Sequence, residues 1–211
     1  MVKESKSKRR QQQSDDDAIR ERILSAAFAS FMEDGYAGTS TLKIATRAKV
    51  SKATLYALVG NKQQMLAACI AERAKRLRGP LDLPEPRDRE SLARALAALG
   101  TRLLREMSDP AVIAVFRLAI AEAVRAPAVA RALDSIGGEA GRTALRTIML
   151  QARSAGLLSG QPDKMAGQFF GLLWGNLMIG LLLRVVDRPQ PREIEQRAND
   201  GTAAFLQLYC N

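Results

Sequence analysis

The chain has 211 residues and a net charge of +10, and 47% of its residues are apolar, so it can bury a sizeable core. The positive charge is concentrated in residues 1–80, which hold 16 Lys and Arg against 8 Asp and Glu, and this predicts contact with a polyanion, either nucleic acid or a membrane surface. Because the chain contains no histidine, Ser-His and Cys-His catalysis and nearly all mixed His/Cys metal sites are excluded, and we expect no cofactor, no metal and no enzymatic activity.

The first residues differ in composition from the rest. Residues 1–17 are charged and rich in glutamine and lack hydrophobic periodicity, which predicts a disordered basic arm that either serves solubility or follows a DNA minor groove. Asp16 or Asp17 is then expected to cap the first helix. Gly35, directly after Asp34, is expected to end that helix because glycine readily takes the left-handed conformation past a helix C-terminus.

Two short helices joined by a tight turn are expected next. Ser40 can cap the first of them, whose apolar face consists of Ile44, Ala45 and Ala48. Ser51 can cap the second, residues 52–58, after a turn at Lys49 and Val50. Two helices connected in this way form a helix-turn-helix, in which the second helix can enter a DNA major groove.

The outward face of the second helix carries side chains that suit a groove. Lys52, Thr54 and Tyr56 offer a cation and hydroxyl groups for phosphates or base edges, and Ala53 offers a methyl group for thymine. Asn61 can cap the following helix and places Lys62 in its first turn, where free backbone amides also attract phosphate.

This region resembles the N-terminal domain of the TetR/AcrR family of bacterial repressors. The resemblance covers residues 23–66 and consists of AAFASFMEDGY, IATRAKVS, TLY and NK in order and spacing. It implies that Ser40, Thr54, Tyr56 and Lys62 contact DNA phosphates and that Leu42, Lys52 and Ala53 approach base edges. With the residues beside them, the expected DNA contacts are Ser40, Thr41, Leu42, Lys49, Ser51, Lys52, Ala53, Thr54, Tyr56 and Lys62.

Two positions depart from the family pattern. Lys49 stands where the family usually has glycine, and a positive φ there would cost lysine about 1 kcal/mol relative to glycine. After Tyr56 the family commonly has aromatic residues, whereas residues 57–60 of this chain read ALVG.

A domain junction is expected at residues 79–88, because this stretch contains three prolines and cannot be a regular helix. It divides the chain into the arm, a helix-turn-helix domain over residues 18–79 that includes a connecting helix, and a larger helical regulatory and dimerisation domain over residues 80–211. The helices expected beyond the junction span residues 90–107, 110–126, 127–136, 141–155, 165–186 and 191–209. The fold class is therefore all-α.

The helix at residues 165–186 is apolar enough to raise the possibility of a membrane span. Gln168 and Asn176 lie inside it and Arg184 interrupts its far end, so we expect a core or interface helix and no membrane partner. By the resemblance, residues 165–186 and 191–209 form a four-helix interface between two copies of the chain.

A small-molecule effector is also implied by the resemblance. Its expected contacts are Phe116, Glu122, Phe170, Trp174 and Met178, although aromatic residues at helical spacing also occur as plain core. Glu122 either lines such a pocket or forms an ion pair with Arg117.

These features together predict a cytoplasmic, homodimeric, ligand-responsive repressor that binds a palindromic operator in double-stranded DNA through residues 52–58. No apolar signal segment opens the sequence. Two alternatives are a helical small-molecule-binding protein with a basic head for another anion, and an enzyme with a helix-turn-helix appendage.

Overall fold

The computed structural model describes residues 2–78, 85–124, 127–134 and 139–210, with the side chains of residues 2–10, 73–78, 128, 129, 132, 139 and 140 left undescribed. Within these ranges the regular elements are helices and none is a β-strand, which confirms the all-α prediction. Most of the expected proline-rich junction, residues 79–84, lies outside the described residues.

Helix α1 spans Val2–Gly38, so the prediction that residues 1–17 form a disordered arm is wrong for residues 2–17. Asp16 and Asp17 therefore lie inside the helix and do not cap it. The segment holds no proline or glycine and consists mostly of good helix formers, and extending a packed helix avoids the cost of nucleation. The segment shows no hydrophobic periodicity, and the side chains of residues 11–15 are exposed.

A kink divides α1 near its end. Gly35 has φ 72° and ψ 173°, which are not helical angles, and a short further turn follows it to Gly38. Gly35 therefore takes a positive φ, as the sequence predicts, but the helical turn after it was not foreseen.

Three further helices complete the N-terminal region: α2 (Thr41–Ala48), α3 (Lys52–Val59) and α4 (Lys62–Arg78). Helices α2 and α3 pack against α1 and against each other. The predicted apolar face of α2 is confirmed. The buried core here comprises Ile23, Leu24, Ala26, Ala27, Phe31, Ile44, Ala45, Ala48, Leu55, Met65, Leu66, Cys69 and Ile70.

The remaining helices are α5 (Arg89–Met107), α6 (Pro110–Glu122), α7 (Pro127–Ala132), α8 (Glu139–Ser154), α9 (Pro162–Trp174), α10 (Leu177–Leu183) and α11 (Pro191–Tyr209). Helix α11 packs against α5 and α9, and α8 packs against the same two helices. Phe169 and Phe205 meet edge to face in this core, with ring centres 5.4 Å apart.

The chain forms two compact units. The first comprises residues 1–72 and 118–133, and the second comprises residues 73–117 and 134–211. The sequence predicted one boundary, at residue 79. The first unit instead ends at residue 72 and also includes residues 118–133, which contain the end of α6 and α7.

The single helix expected at residues 165–186 is instead α9 followed by α10, bent by 53° at a break. Gly175 has φ 47°, and Arg197 of α11 donates to the carbonyl oxygens of Leu173 at 2.6 Å and Trp174 at 2.8 Å. The glycine permits the break, and the guanidinium satisfies carbonyl groups that the break leaves without helical partners. No single helix in the described ranges is long and apolar enough to cross a membrane, although α9 and α10 together pass that test by length and composition.

Candidate nucleic-acid interface

The turn between α2 and α3 is closed by backbone hydrogen bonds. Ser40 caps α2 by accepting from the Lys43 amide at 3.1 Å, as the sequence predicts. At the other end of α2, Lys49 adopts the left-handed conformation with φ 55° and ψ 47°. The amide of Val50 then donates back to Ala45 O at 3.0 Å. Helix endings of this kind usually have glycine at the left-handed position, which is occupied by Lys49 here.

Helix α3 is anchored by its buried side and presents the other side to solvent. Ser51 accepts from the Thr54 amide at 3.0 Å and lies 2.8 Å from the Thr54 hydroxyl, while Leu55 is completely buried. Lys52 and Ala53 are exposed. The helix ends at Val59, one residue beyond the predicted end, with Gly60 at φ 85°.

The start of α2 lies beside the middle of α3 at the exposed surface. The hydroxyl groups of Thr41 and Tyr56 lie 3.1 Å apart, so these two expected DNA contacts form one cluster. Leu42 beside them is 58% exposed and Tyr56 is 48% exposed. The first two amides of α2, those of Thr41 and Leu42, precede the capped Lys43 amide and have no acceptor within the helix, which suits a phosphate oxygen.

Two cations of α2 are paired with carboxylates of α1. Arg47 lies 2.6 Å from Glu33, and Lys43 lies 2.5 Å from Asp34. The Arg47 hydrogen bond lowers the pKa of Glu33. Sequence reasoning missed this network, since its partners are 9 and 14 residues apart and fall in no helical repeat.

Lys49 and Lys52 differ from these paired cations. Both are exposed, and within the described part of the chain neither side chain has a hydrogen bond or ion pair. They are therefore the cations of the turn and of α3 that are available to an anion in solution.

Lys62 is oriented toward the protein. Its ammonium donates to Tyr36 O at 2.8 Å and to Thr39 O at 3.1 Å, and it lies 4.5 Å from the centre of the Tyr36 ring. Burial, and secondarily the nearby Glu122 carboxylate, raises the pKa of Tyr36. The sequence motif gave no indication that Tyr36 and Thr39 would be partners of Lys62.

The expected effector contacts are buried or half-buried in their respective units. In the first unit Glu122 is 8% exposed. In the second unit Trp174 is buried, Phe170 and Met178 pack against the core, and Phe116 is half-buried. Arg117 donates to the carbonyl oxygens of Leu181 and Leu182 at the end of α10, a role that neither sequence-based alternative described.

Exposed large apolar side chains occur on α9, α10 and α11 and in the segment just after α10. They are Leu172, Ile179, Leu183, Val185, Val186 and Leu208. A side-chain methyl group added at Gly167 or Gly171 would meet no atom within 4 Å. An open groove of about 650 Å³ beside them is lined by Leu172 and by α11 residues from Arg192 to Ala204.

Two regions of the chain match known protein families. Residues 23–69 match the family described as "Bacterial regulatory proteins, tetR family", and residues 94–211 match the "AefR-like transcriptional repressor, C-terminal domain". The uncharacterized HTH-type transcriptional regulator YvkB of Bacillus subtilis is 26% identical over 88% of this chain and 94% of its own length.

Solved structures give the same relationship. The flavonoid-responsive regulator FrrA is 31% identical, with a TM-score of 0.77 over 92% of this chain and 97% of its own. A TetR transcriptional regulator from Agrobacterium tumefaciens is 25% identical, with a TM-score of 0.77 over 91% of this chain and 95% of its own.

Proposed function

Since the chain belongs to the TetR family and is therefore a transcriptional regulator and not an enzyme, we propose that it is a homodimeric repressor that binds a palindromic operator and is released by a small molecule. The observation that carries the proposal is the exposed face shared by α2 and α3, with two cations that have no partner among the described residues. As a regulator of bacterial DNA, it would act in the cytoplasm.

In this proposal α3 lies in the major groove and the starts of α2 and α3 hold the phosphate backbone. The proposed contacts are Ser40, Thr41, Leu42, Lys49, Ser51, Lys52, Ala53, Thr54 and Tyr56. Hydroxyl groups, free amides and Lys49 set the register on phosphates, which supplies most of the affinity. Lys52, Ala53 and Leu42 approach base edges and supply the sequence preference.

The proposed dimer pairs α9, α10 and α11, with their exposed apolar side chains, with the same helices of a second copy. Exposed large apolar side chains on these elements are unfavourable in an isolated protomer, and burying them would stabilise the pair. The glycines at 167 and 171 leave space for a partner helix to approach closely. Each protomer would then present one α3 to half-sites about 34–36 Å apart.

Regulation is proposed to act through the C-terminal helices. The likeness to a flavonoid-responsive regulator supports a small organic effector for this chain. Phe116, Glu122, Phe170, Trp174 and Met178 are the proposed contacts. Effector binding would displace α4 and change the spacing of the two recognition helices, which requires that the effector bind the DNA-free conformation more tightly.

The proposal can be tested with the full-length protein and DNA from beside its own gene. Fluorescence anisotropy should show saturable binding to a palindromic segment, and a scrambled segment of the same composition should bind at least about a thousandfold more weakly at physiological salt. Tyr56→Ala should weaken binding to both, whereas Ser154→Ala on the exposed end of α8 serves as the matched control. Equal binding to both segments would indicate an anion-binding protein and reject the repressor proposal.

A further inference from the structure

A lysine from α4 holds the junction between α1 and α2. Lys62 Nζ donates to the carbonyl oxygens of Tyr36 and Thr39, which are 26 and 23 residues earlier in the chain. The same ammonium lies against the Tyr36 ring, 4.5 Å from its centre. The first turn of α4 is therefore attached to the segment that leads into α2.

The acceptors explain why a lysine fits this position. Carbonyl groups at the end of a helix such as α1 have no intrahelical donor, and the negative end of the helix dipole favours a cation there. The ring face of Tyr36 adds a cation–π contact. An ammonium has three N–H donors, and two of them are already used here. Turning Lys62 toward a phosphate would leave both carbonyl groups without this donor.

The segment that Lys62 holds leads directly to the DNA-facing cluster. Thr39 is buried, and its hydroxyl lies 2.9 Å from Ser30 O and 2.7 Å from Gly35 O. The next residue, Ser40, caps α2, and Thr41 follows with its hydroxyl beside Tyr56. The position of these groups relative to α4 is thus fixed through Lys62.

We propose that Lys62 is a positioning residue, which holds the start of α2 in place for DNA binding without contacting a phosphate itself. This inference rests on the proposed DNA-binding function. It replaces the phosphate contact that the family resemblance implies for this lysine. It also gives a displacement of α4 a direct route to DNA affinity, because moving Lys62 would move the start of α2.

The test compares Lys62→Met, which removes the charge and keeps most of the side-chain length, with Lys49→Met as a variant that loses a proposed phosphate contact. Hydrogen exchange is first measured on the DNA-free protein. The amides of Lys43 and Ile44 donate to Ser40, so they report on the start of α2. The amide of Leu55, which donates to Ser51 O, reports on α3 as an internal control.

For Lys62→Met we expect the Lys43 and Ile44 amides to exchange on the order of tenfold faster while Leu55 is unchanged. A general loss of stability would speed up all three. Operator affinity of Lys62→Met should fall on the order of tenfold, but its slope of log K against log salt should equal that of the wild type. Lys49→Met, in contrast, should reduce the magnitude of this slope by about 0.9. A slope lowered by about 0.9 in Lys62→Met would overturn the proposal.

A second variant keeps the proposal testable if Lys62→Met does not fold. Tyr36→Leu removes the ring face without changing any charge, and it should speed up exchange at Lys43 and Ile44 but not at Leu55. Unchanged exchange at both amides would contradict the positioning role. If the wild type shows no sequence-dependent DNA binding, the proposed function fails, but the exchange rates still decide whether the lysine holds the start of α2.

Discussion

Because Lys49 has a left-handed backbone and an exposed side chain, replacing it with glycine should change both the stability of the protein and its affinity for DNA. With φ 55° and ψ 47°, this residue is in the left-handed region, where a side chain costs about 1–2 kcal/mol and glycine costs nothing. Its side chain is exposed and has no hydrogen bond or ion pair among the described residues, so removing it breaks no internal contact. Lys49→Gly should therefore relieve strain and also remove a cation from the DNA-facing surface.

The expected gain in stability follows from these terms. Glycine also loses about 0.5–1 kcal/mol through the greater entropy of the unfolded chain, which leaves a net gain of about 1 kcal/mol. For a chain of this length, such a gain raises Tm by about 2–4 °C. Lys49→Ala keeps the strained conformation and removes the same charge, so it is the matched control.

Thermal and urea unfolding of the three proteins at one protomer concentration measure this effect. Lys49→Gly should be more stable than both the wild type and Lys49→Ala. Both variants should lower the salt slope of DNA binding equally, by about 0.9, because both lose one phosphate contact. If the glycine and alanine variants unfold alike, the strain at this position is no larger than the entropic loss of glycine, and the predicted gain in stability is refuted.

Three other variants test separate parts of the account. Gly171→Arg should give a monomer in size-exclusion chromatography and weaken operator binding on the order of a hundredfold, since two linked half-site contacts are lost; Ser154→Arg, which adds the same charge elsewhere, should remain dimeric. Lys52→Ala should change which operator bases matter in a binding selection, and an unchanged preference would remove it from the base contacts. Arg47 lowers the pKa of Glu33 from 4.5, so the stability this carboxylate contributes is complete above pH 4.5 and is lost as the pH falls through the lowered value. Glu33→Gln should therefore unfold more easily than the wild type at pH 7 and no more easily in strong acid, and equal stability at pH 7 would contradict the role of this pair.

The sequence predicted those features that depend on neighbouring residues. The caps at Ser40 and Ser51, the buried face of α2 and the ends of α11 all follow from local hydrogen bonding and helical spacing, and the structure agrees with each of them. For Lys49 we could state from the sequence only the cost of a positive φ if one occurred, because lysine stands where the family usually has glycine. The structure has φ 55° at this residue.

The features that could not be predicted depend on distant parts of the chain. The break at Gly175 occurs where Arg197 of another helix can satisfy the freed carbonyl groups, and the apolar run gives no sign of it. Lys62 reaches carbonyl groups at and just beyond the end of α1, 26 and 23 residues away along the chain. The helical conformation before Asp17 was missed because hydrophobic periodicity reports packing against a core, and the exposed residues 11–15 show no such periodicity.

DNA footprinting beside the chain's own gene, with and without candidate small molecules, tests the central claim most directly. We expect protection of two symmetric half-sites about 34–36 Å apart between centres, which is lost on addition of an effector and absent with Tyr56→Ala. Uniform or absent protection at protein concentrations that saturate binding to any DNA would contradict sequence-specific operator recognition by α3.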